Sequence, residues 1–295
     1  MLCNKCQNSL YGQAFTTTNC KKCDKTIVTG HIPGHVLCEE CAGEEYCEQC
    51  GELLNNRIEL FTTITGSANY NLMNENSDID KKTYVLPTMN DLYNKESICK
   101  VKHTKILDTE VSDIRRLISQ LKKGSVNAIE TLFSDGLEIN PDLELQTYLK
   151  LNKILQLKDE IARMNLVGVL HSLYGIAINN LNIVNSIPYF EGIDYDYKGK
   201  RICQGIRGLL TIKRFADNKF TDYKSAIYYK DSEPDRQILM DIKNCKMHKD
   251  DIVILGTRLI QDIIENYKSL YEKKYNKDLA DFLENSVKDM IKINL

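Results

Sequence analysis

Residues 66–80, Gly-Ser-Ala-Asn-Tyr-Asn-Leu-Met-Asn-Glu-Asn-Ser-Asp-Ile-Asp, limit the fold of this chain more than any other stretch. An alternating run from Arg57 to Thr65 precedes them and predicts a strand. The apolar run Tyr84-Val85-Leu86 follows them, so the order expected is strand, Gly-Ser turn, short helix, strand. If residues 78–86 form that second strand, positions two apart share a face. Asp78 and Asp80 then present their carboxylates side by side. Two such charges repel, and a divalent cation between them relieves the repulsion. Hard oxygen ligands suit magnesium. Gly66 lets the backbone approach an anion closely, and Ser67 adds a hydroxyl at a helix N-terminus. An Asp-x-Asp alone is an ordinary surface pair and a Gly-Ser alone an ordinary turn. Their order along the chain carries the reading.

Eight of the 11 cysteines lie in the first 50 residues as four pairs: Cys3 with Cys6, Cys20 with Cys23, Cys38 with Cys41, and Cys47 with Cys50. Each Cys-x-x-Cys gives two thiolates to one tetrahedral zinc, and eight ligands suffice for two closed structural sites. Redox catalysis needs one such pair and leaves three unexplained. Two pairings stay open. Sequential sites join first to second and third to fourth; a cross-brace joins first to third and second to fourth. The short loop between Cys41 and Cys47 favours the cross-brace. His35-x-x-Cys38 also has ligand spacing, but with eight cysteines present His31 and His35 read as loop residues. Up to Glu52 there are four lysines, no arginine and seven acids, so the module is acidic where a phosphate-gripping finger is basic. Cys99, Cys203 and Cys245 are scattered and read as small buried apolar groups.

The formal net charge of −2 excludes a simple polycation model of nucleic-acid binding. With 42% hydrophobic residues, 295 residues can bury one or two cores beyond a small module. The sequence is read as having no apolar run near the ~20 residues that span a bilayer. The first residues form no signal core, which places the chain in the cytoplasm with reduced thiols.

Pro87 should stop the second strand. Ser97–Leu107 predicts a further strand that delivers Asp108 and Glu110. Ile114, Leu117, Ile118 and Leu121 form one helical stripe capped by Ser112 or Asp113. Gly124 ends that helix, and a second carries Val126, Ile129, Leu132 and Phe133. From Asp142 onward the chain reads as nearly all helix. Stripes run through Leu145, Tyr148, Leu149 and Leu155, then Leu166, Val169, Leu170, Leu173, Ile176 and Ala177. Residues 185–199 read as a loop. Lys198–Lys219 carries seven basic residues and one acid, with Ile202, Ile206, Leu209 and Leu210 on an apolar face. Two amphipathic helices, Ile252–Tyr271 and Leu279–Ile293, close the chain.

The Gly66-Ser67 turn, Asp78-Ile79-Asp80, the Pro87-Thr88 exit, Asp108–Leu117 and Lys123–Phe133 together resemble the DNA polymerase beta superfamily of nucleotidyltransferases. Within it they resemble the phage and bacterial branch that includes an RNA-repair-associated polymerase-beta-like family. The resemblance extends more loosely to about Met247 and does not cover the cysteine-rich start. It implies that Gly66 and Ser67 hold a nucleoside triphosphate and that Asp78 and Asp80 hold magnesium or manganese. Asp108 is the implied third carboxylate, with Glu110 in reserve. Lys200 and Arg207 match basic positions that face the triphosphate. The branch often has His near there, where this chain has Gln204.

The reading is therefore α+β: a double-zinc module (1–52), a small mixed-sheet nucleotidyltransferase domain (53–140) and a helical domain (141–295). The expected activity moves a nucleoside monophosphate from a triphosphate to an acceptor hydroxyl, with an RNA or DNA end as candidate acceptor. A protein partner is expected for the zinc module, and no membrane. The alternatives are transfer to a protein or small molecule, or a non-catalytic binding protein that keeps the fold.

Overall fold

The computed structural model describes residues 16–19, 26–29, 57–74, 77, 79–103, 107–185 and 195–295. The expected zinc ligands Cys3, Cys6, Cys20, Cys23, Cys38, Cys41, Cys47 and Cys50 all lie outside the described residues. So do His31, His35 and the expected metal ligand Asp78. Strands β1 (Thr16–Asn19) and β2 (Thr26–Thr29) pair antiparallel, Asn19 opposite Thr26. Cys20 and Cys23 fall between them in sequence, while Cys6 precedes β1 and Cys50 follows β2.

The main sheet is mixed and has five strands: β3 (Glu59–Thr65), β4 (Ile79–Val85), β5 (Cys99–His103), β6 (Leu107–Asp113) and β7 (Glu138–Ile139). Their order is β5-β6-β4-β3-β7, with β4 and β6 parallel and the other neighbours antiparallel. The sequence suggested one strand at 97–107; there are two, and Asp108 and Glu110 lie inside the second. Residues 104–106, Thr-Lys-Ile, contain no Gly, Pro, Asn or Asp, so nothing in the sequence marked a division of that run.

The helices are α1 (Met89–Tyr93), α2 (Ile114–Lys122), α3 (Val126–Thr131), α4 (Leu145–Gln156), α5 (Lys158–Ala162), α6 (Leu166–Asn185), α7 (Tyr195–Asp217), α8 (Tyr223–Ile227), α9 (Pro234–Lys243), α10 (Lys249–Asp262) and α11 (Lys277–Ile293). Thr88 and Asp91 form a reciprocal capping box at α1. Asp113, not Ser112, caps α2 by accepting from the Arg115 backbone N–H. The stripe Ile114, Leu117, Ile118 and Leu121 is buried as expected.

Four expectations about the helices are corrected. The buried residues of α4 are Thr147, Leu151 and Ile154, while Leu145, Tyr148 and Leu149 are exposed. The Thr147 hydroxyl accepts from Asn294 beside α11, and that bond commits a polar residue to the inner face. Helix α7 starts at Tyr195, inside the expected loop. Its Gly199 reads as a helix breaker, yet a β-carbon there would lie 2.6 Å from the Lys243 carbonyl oxygen, so the C-terminus of α9 can cross only over glycine. Finally, Leu166–Val184 is long and apolar enough to cross a membrane by length and composition, with a mean hydropathy of 1.3. It has no Asp, Glu, Lys or Arg, and its asparagines did not break the run. Leu166, Val169, Leu170, Leu173, Ala177 and Val184 are buried against the rest of the molecule. The first of the two expected tail helices is also divided, because α10 passes into a π turn (Ile263–Tyr267) and a 3-10 turn (Lys268–Tyr271). One hydrophobic cluster runs from Leu60 in β3 to Ile291 in α11.

Candidate active site

Strand β3 ends at Thr65, directly opposite Asp80 of β4. The chain then turns through a 3-10 helix, Gly66–Tyr70, closed by Asn71 in the left-handed region at φ 59°. Gly66 itself has φ +72°, and a β-carbon on it would lie 2.0 Å from Asp80 Oδ2. The Asp80 carboxylate thus rests against the bare Gly66 Cα, and only glycine permits both the backbone angle and the approach.

Parallel pairing of β4 with β6 sets Asp80 opposite Asp108, and Lys82 opposite Glu110 two residues on. Lys82 Nζ lies 2.9 Å from Glu110 Oε2, so the reserve carboxylate already has a cation beside it. Asp80 and Asp108 sit in register on adjacent strands and line one cavity of about 440 Å³. The same cavity is lined by Gly66, Ser67, Glu110, Lys200, Gln204 and Arg207. Every described residue singled out for nucleotide or metal chemistry therefore meets in one place. The helical wall comes from α6 through Ile176 and Asn180, and from α7 through Lys200, Cys203, Gln204 and Arg207. Burial pushes the Cys203 thiol up to about 11, against the opposing pull of Arg207 and Lys243, which keeps it protonated and unreactive at neutral pH.

Arg207 is buried and does not stand open to the cavity like a surface cation. Its Nη1 lies 2.9 Å from Glu130 Oε1, and its guanidinium stacks 3.7 Å from the Tyr70 ring centroid. The Tyr70 hydroxyl donates to the other oxygen of Glu130. Burial acts to lower the guanidinium pKa, but Glu130 and Tyr70 outweigh it and Arg207 is held charged. Burial drives the Tyr70 phenol well above its ordinary range. Arg207 Nε has no hydrogen-bond partner among the described residues. A buried N–H without an acceptor is costly, and a ligand oxygen would satisfy it.

Three residues of the site escaped the sequence reading: Glu130, Tyr70 and Lys243. Glu130 sits on the inner face of α3 with Val126 and Ile129, at i, i+3 and i+4, and it is buried. Lys243 shares the inner face of α9 with Leu239 and Ile242 at the same spacing. A charge within an apolar helical stripe was the legible signal for both. Lys243 donates to Ser67 Oγ (3.1 Å), the Leu72 carbonyl (2.6 Å) and Ser77 Oγ (2.9 Å).

Among the described residues no group of three or more His, Cys, Asp or Glu is arranged to hold a metal ion. The described carboxylates, Asp80 and Asp108, are the hard oxygen donors that magnesium or manganese takes, and Asp78 adjoins β4 in sequence outside the described residues. Neither a protein-family model nor a curated protein matches this sequence.

Proposed function

We propose that this chain is a metal-dependent nucleotidyltransferase of the polymerase beta type, with residues 53–140 as its catalytic domain and 141–295 as the helical domain over the nucleotide. One observation carries the reading. The Gly66 turn packs onto Asp80, Asp80 is in register with Asp108, and both face a cavity whose other wall bears Lys200 and Arg207. Phosphate-holding backbone, paired carboxylates and cations at that spacing suit a triphosphate and its counter-ions.

A divalent cation held by Asp80, Asp108 and Asp78 would lower the pKa of the acceptor hydroxyl and offset phosphate charge. Gly66 admits phosphate oxygens close to the backbone, and Ser67 donates to them. Lys200 balances their charge from α7, and Arg207 offers Nε beneath them. The acceptor oxygen attacks the α-phosphorus as the bond to pyrophosphate breaks. An RNA or DNA end is the acceptor we favour. The cysteine module, residues 1–52, would hold two zinc ions through its eight cysteines, from Cys3 and Cys6 to Cys47 and Cys50, and dock a protein partner, in the cytoplasm.

The test offers each labelled nucleoside triphosphate with magnesium to RNA, DNA and protein acceptors in parallel. We expect transfer to one acceptor class, and its loss in Asp80→Asn and in Asp108→Ala without a lower melting temperature, because carboxylate repulsion is relieved. Full activity in Asp80→Asn would sink the reading. A much weaker magnesium response in Glu110→Ala, with Asp108→Ala unaffected, would move the third carboxylate to Glu110. Metal analysis should return two zinc ions per chain.

A further inference from the structure

The 66–77 loop is clasped by residues 224–244 along its whole described length. The Tyr70 carbonyl accepts from the Tyr229 backbone N–H. The Asn71 side chain donates to the Tyr229 carbonyl, and the Asn71 carbonyl accepts from Arg236 Nε. Asn74 donates to Asn244 Oδ1. Lys243 stands at the centre, 7% exposed, with its ammonium on three acceptors of the loop.

The hydrogen count at the two serines differs. Ser77 Oγ accepts from Lys243 and from the Asn74 backbone N–H, and it spends its own hydrogen on Asn74 Oδ1. Ser67 Oγ accepts from Lys243, and no acceptor among the described residues takes its hydrogen. An ammonium has donors only, so it can never accept from Ser67. Occupying a lone pair of Ser67 with a cation leaves its O–H to point elsewhere, and Ser67 lines the cavity. Hydrogen bonds from an ammonium also polarise the hydroxyl they act on and make it a better donor.

We propose that Lys243 is a positioning residue that commits the Ser67 hydroxyl to donating toward an anionic oxygen in the cavity. This rests on the nucleotidyltransferase reading and extends it from the loop to a residue of the helical region. Lys243 acts through Ser67, so removing either partner removes the same contact.

The experiment measures binding of inorganic tripolyphosphate with magnesium, and of ATP, GTP, CTP and UTP, to the full chain and to Lys243→Met, Ser67→Ala and the double variant. Lys243→Met and Ser67→Ala should each weaken tripolyphosphate binding about tenfold or more, as for a lost hydrogen bond to a charged group. The two losses should match within about threefold, and the double variant should bind no worse than the weaker single one. A general collapse of the loop would instead make the Lys243→Met loss far exceed that of Ser67→Ala. Additive losses, or such an excess, would overturn the assignment. Ser67→Ala leaves Lys243 its bonds to Leu72 and Ser77, so that variant should fold even if Lys243→Met does not. Unchanged binding in Ser67→Ala overturns the inference by itself. Absence of phosphate binding by the unaltered chain overturns the functional reading and this inference with it.

Discussion

Gly66 is the residue on which the candidate site is most sensitive. From the sequence, Gly66 was a place where the backbone could approach an anion closely; in the structure the chain's own Asp80 carboxylate rests against it, at a φ of +72°. A methyl group there meets a carboxylate oxygen at 2.0 Å, and the backbone angle is strained for any L side chain. Gly66→Ala should therefore push Asp80 off its position and lower transfer by about a hundredfold, the effect of ~1 Å misplacement. Steady-state kinetics beside a melting curve would check it. Undiminished turnover would mean that Asp80 needs no such support. Glu130 is the opposite case, invisible to motif reading because no motif names it. It balances Arg207, and the side chains of the pair are 4% and 6% exposed. Glu130→Gln leaves a buried guanidinium without its counter-charge, which should cost about 3–5 kcal/mol in urea unfolding. A loss below about 1 kcal/mol would show that water or another acid reaches Arg207.

Among the elements, those with one dominant period were legible and those with two were not. Helix α2 has a single stripe and a single cap, and both lie where the spacing put them. Helix α4 offers Leu145, Tyr148 and Leu149 on one side and Leu151 and Ile154 on another; a Thr147 bond to Asn294, 147 residues away, decides between them. No local pattern contains that information. The short α1 shows how much a cap can carry. Arg57 donates twice to Asp91, and Thr88 donates to it from both backbone and hydroxyl. Burial alone would raise the Asp91 carboxyl, but these bonds hold it down to about 2 from 3.8. A depressed carboxylate pKa stabilises the fold above the unfolded value and ceases to do so as pH falls through the folded one. Asp91 should thus contribute about 2 kcal/mol at neutral pH, lost between about pH 4 and pH 2. Asp91→Asn should be less stable at pH 7 and flatter across that window in acid unfolding. An unchanged acid slope would place the linkage on other carboxylates.

At the scale of the molecule, the sequence suggested a boundary near residue 140, where Asn140-Pro141 breaks the pattern. The core ignores it. The cluster that begins at Leu60 in β3 passes through α2 and α3 and continues without interruption into α6, α7 and α11. Polar contacts cross the same line at several points: Arg207 to Glu130, Lys224 to the Phe133 carbonyl, Lys243 to Ser67, and Lys122 to Glu284. Each pairs residues that are far apart in the chain, which is why composition and periodicity could not show them. A sheet and a helical cover that share one core should not unfold independently. Residues 57–295 should therefore melt as one cooperative unit, with calorimetric and van't Hoff enthalpies equal for that transition. Amide exchange along β4 and β6 should be lost at the same denaturant concentration as along α6 and α7. Two separated transitions within 57–295, with the helices surviving the sheet, would show that the shared core does not couple the two halves.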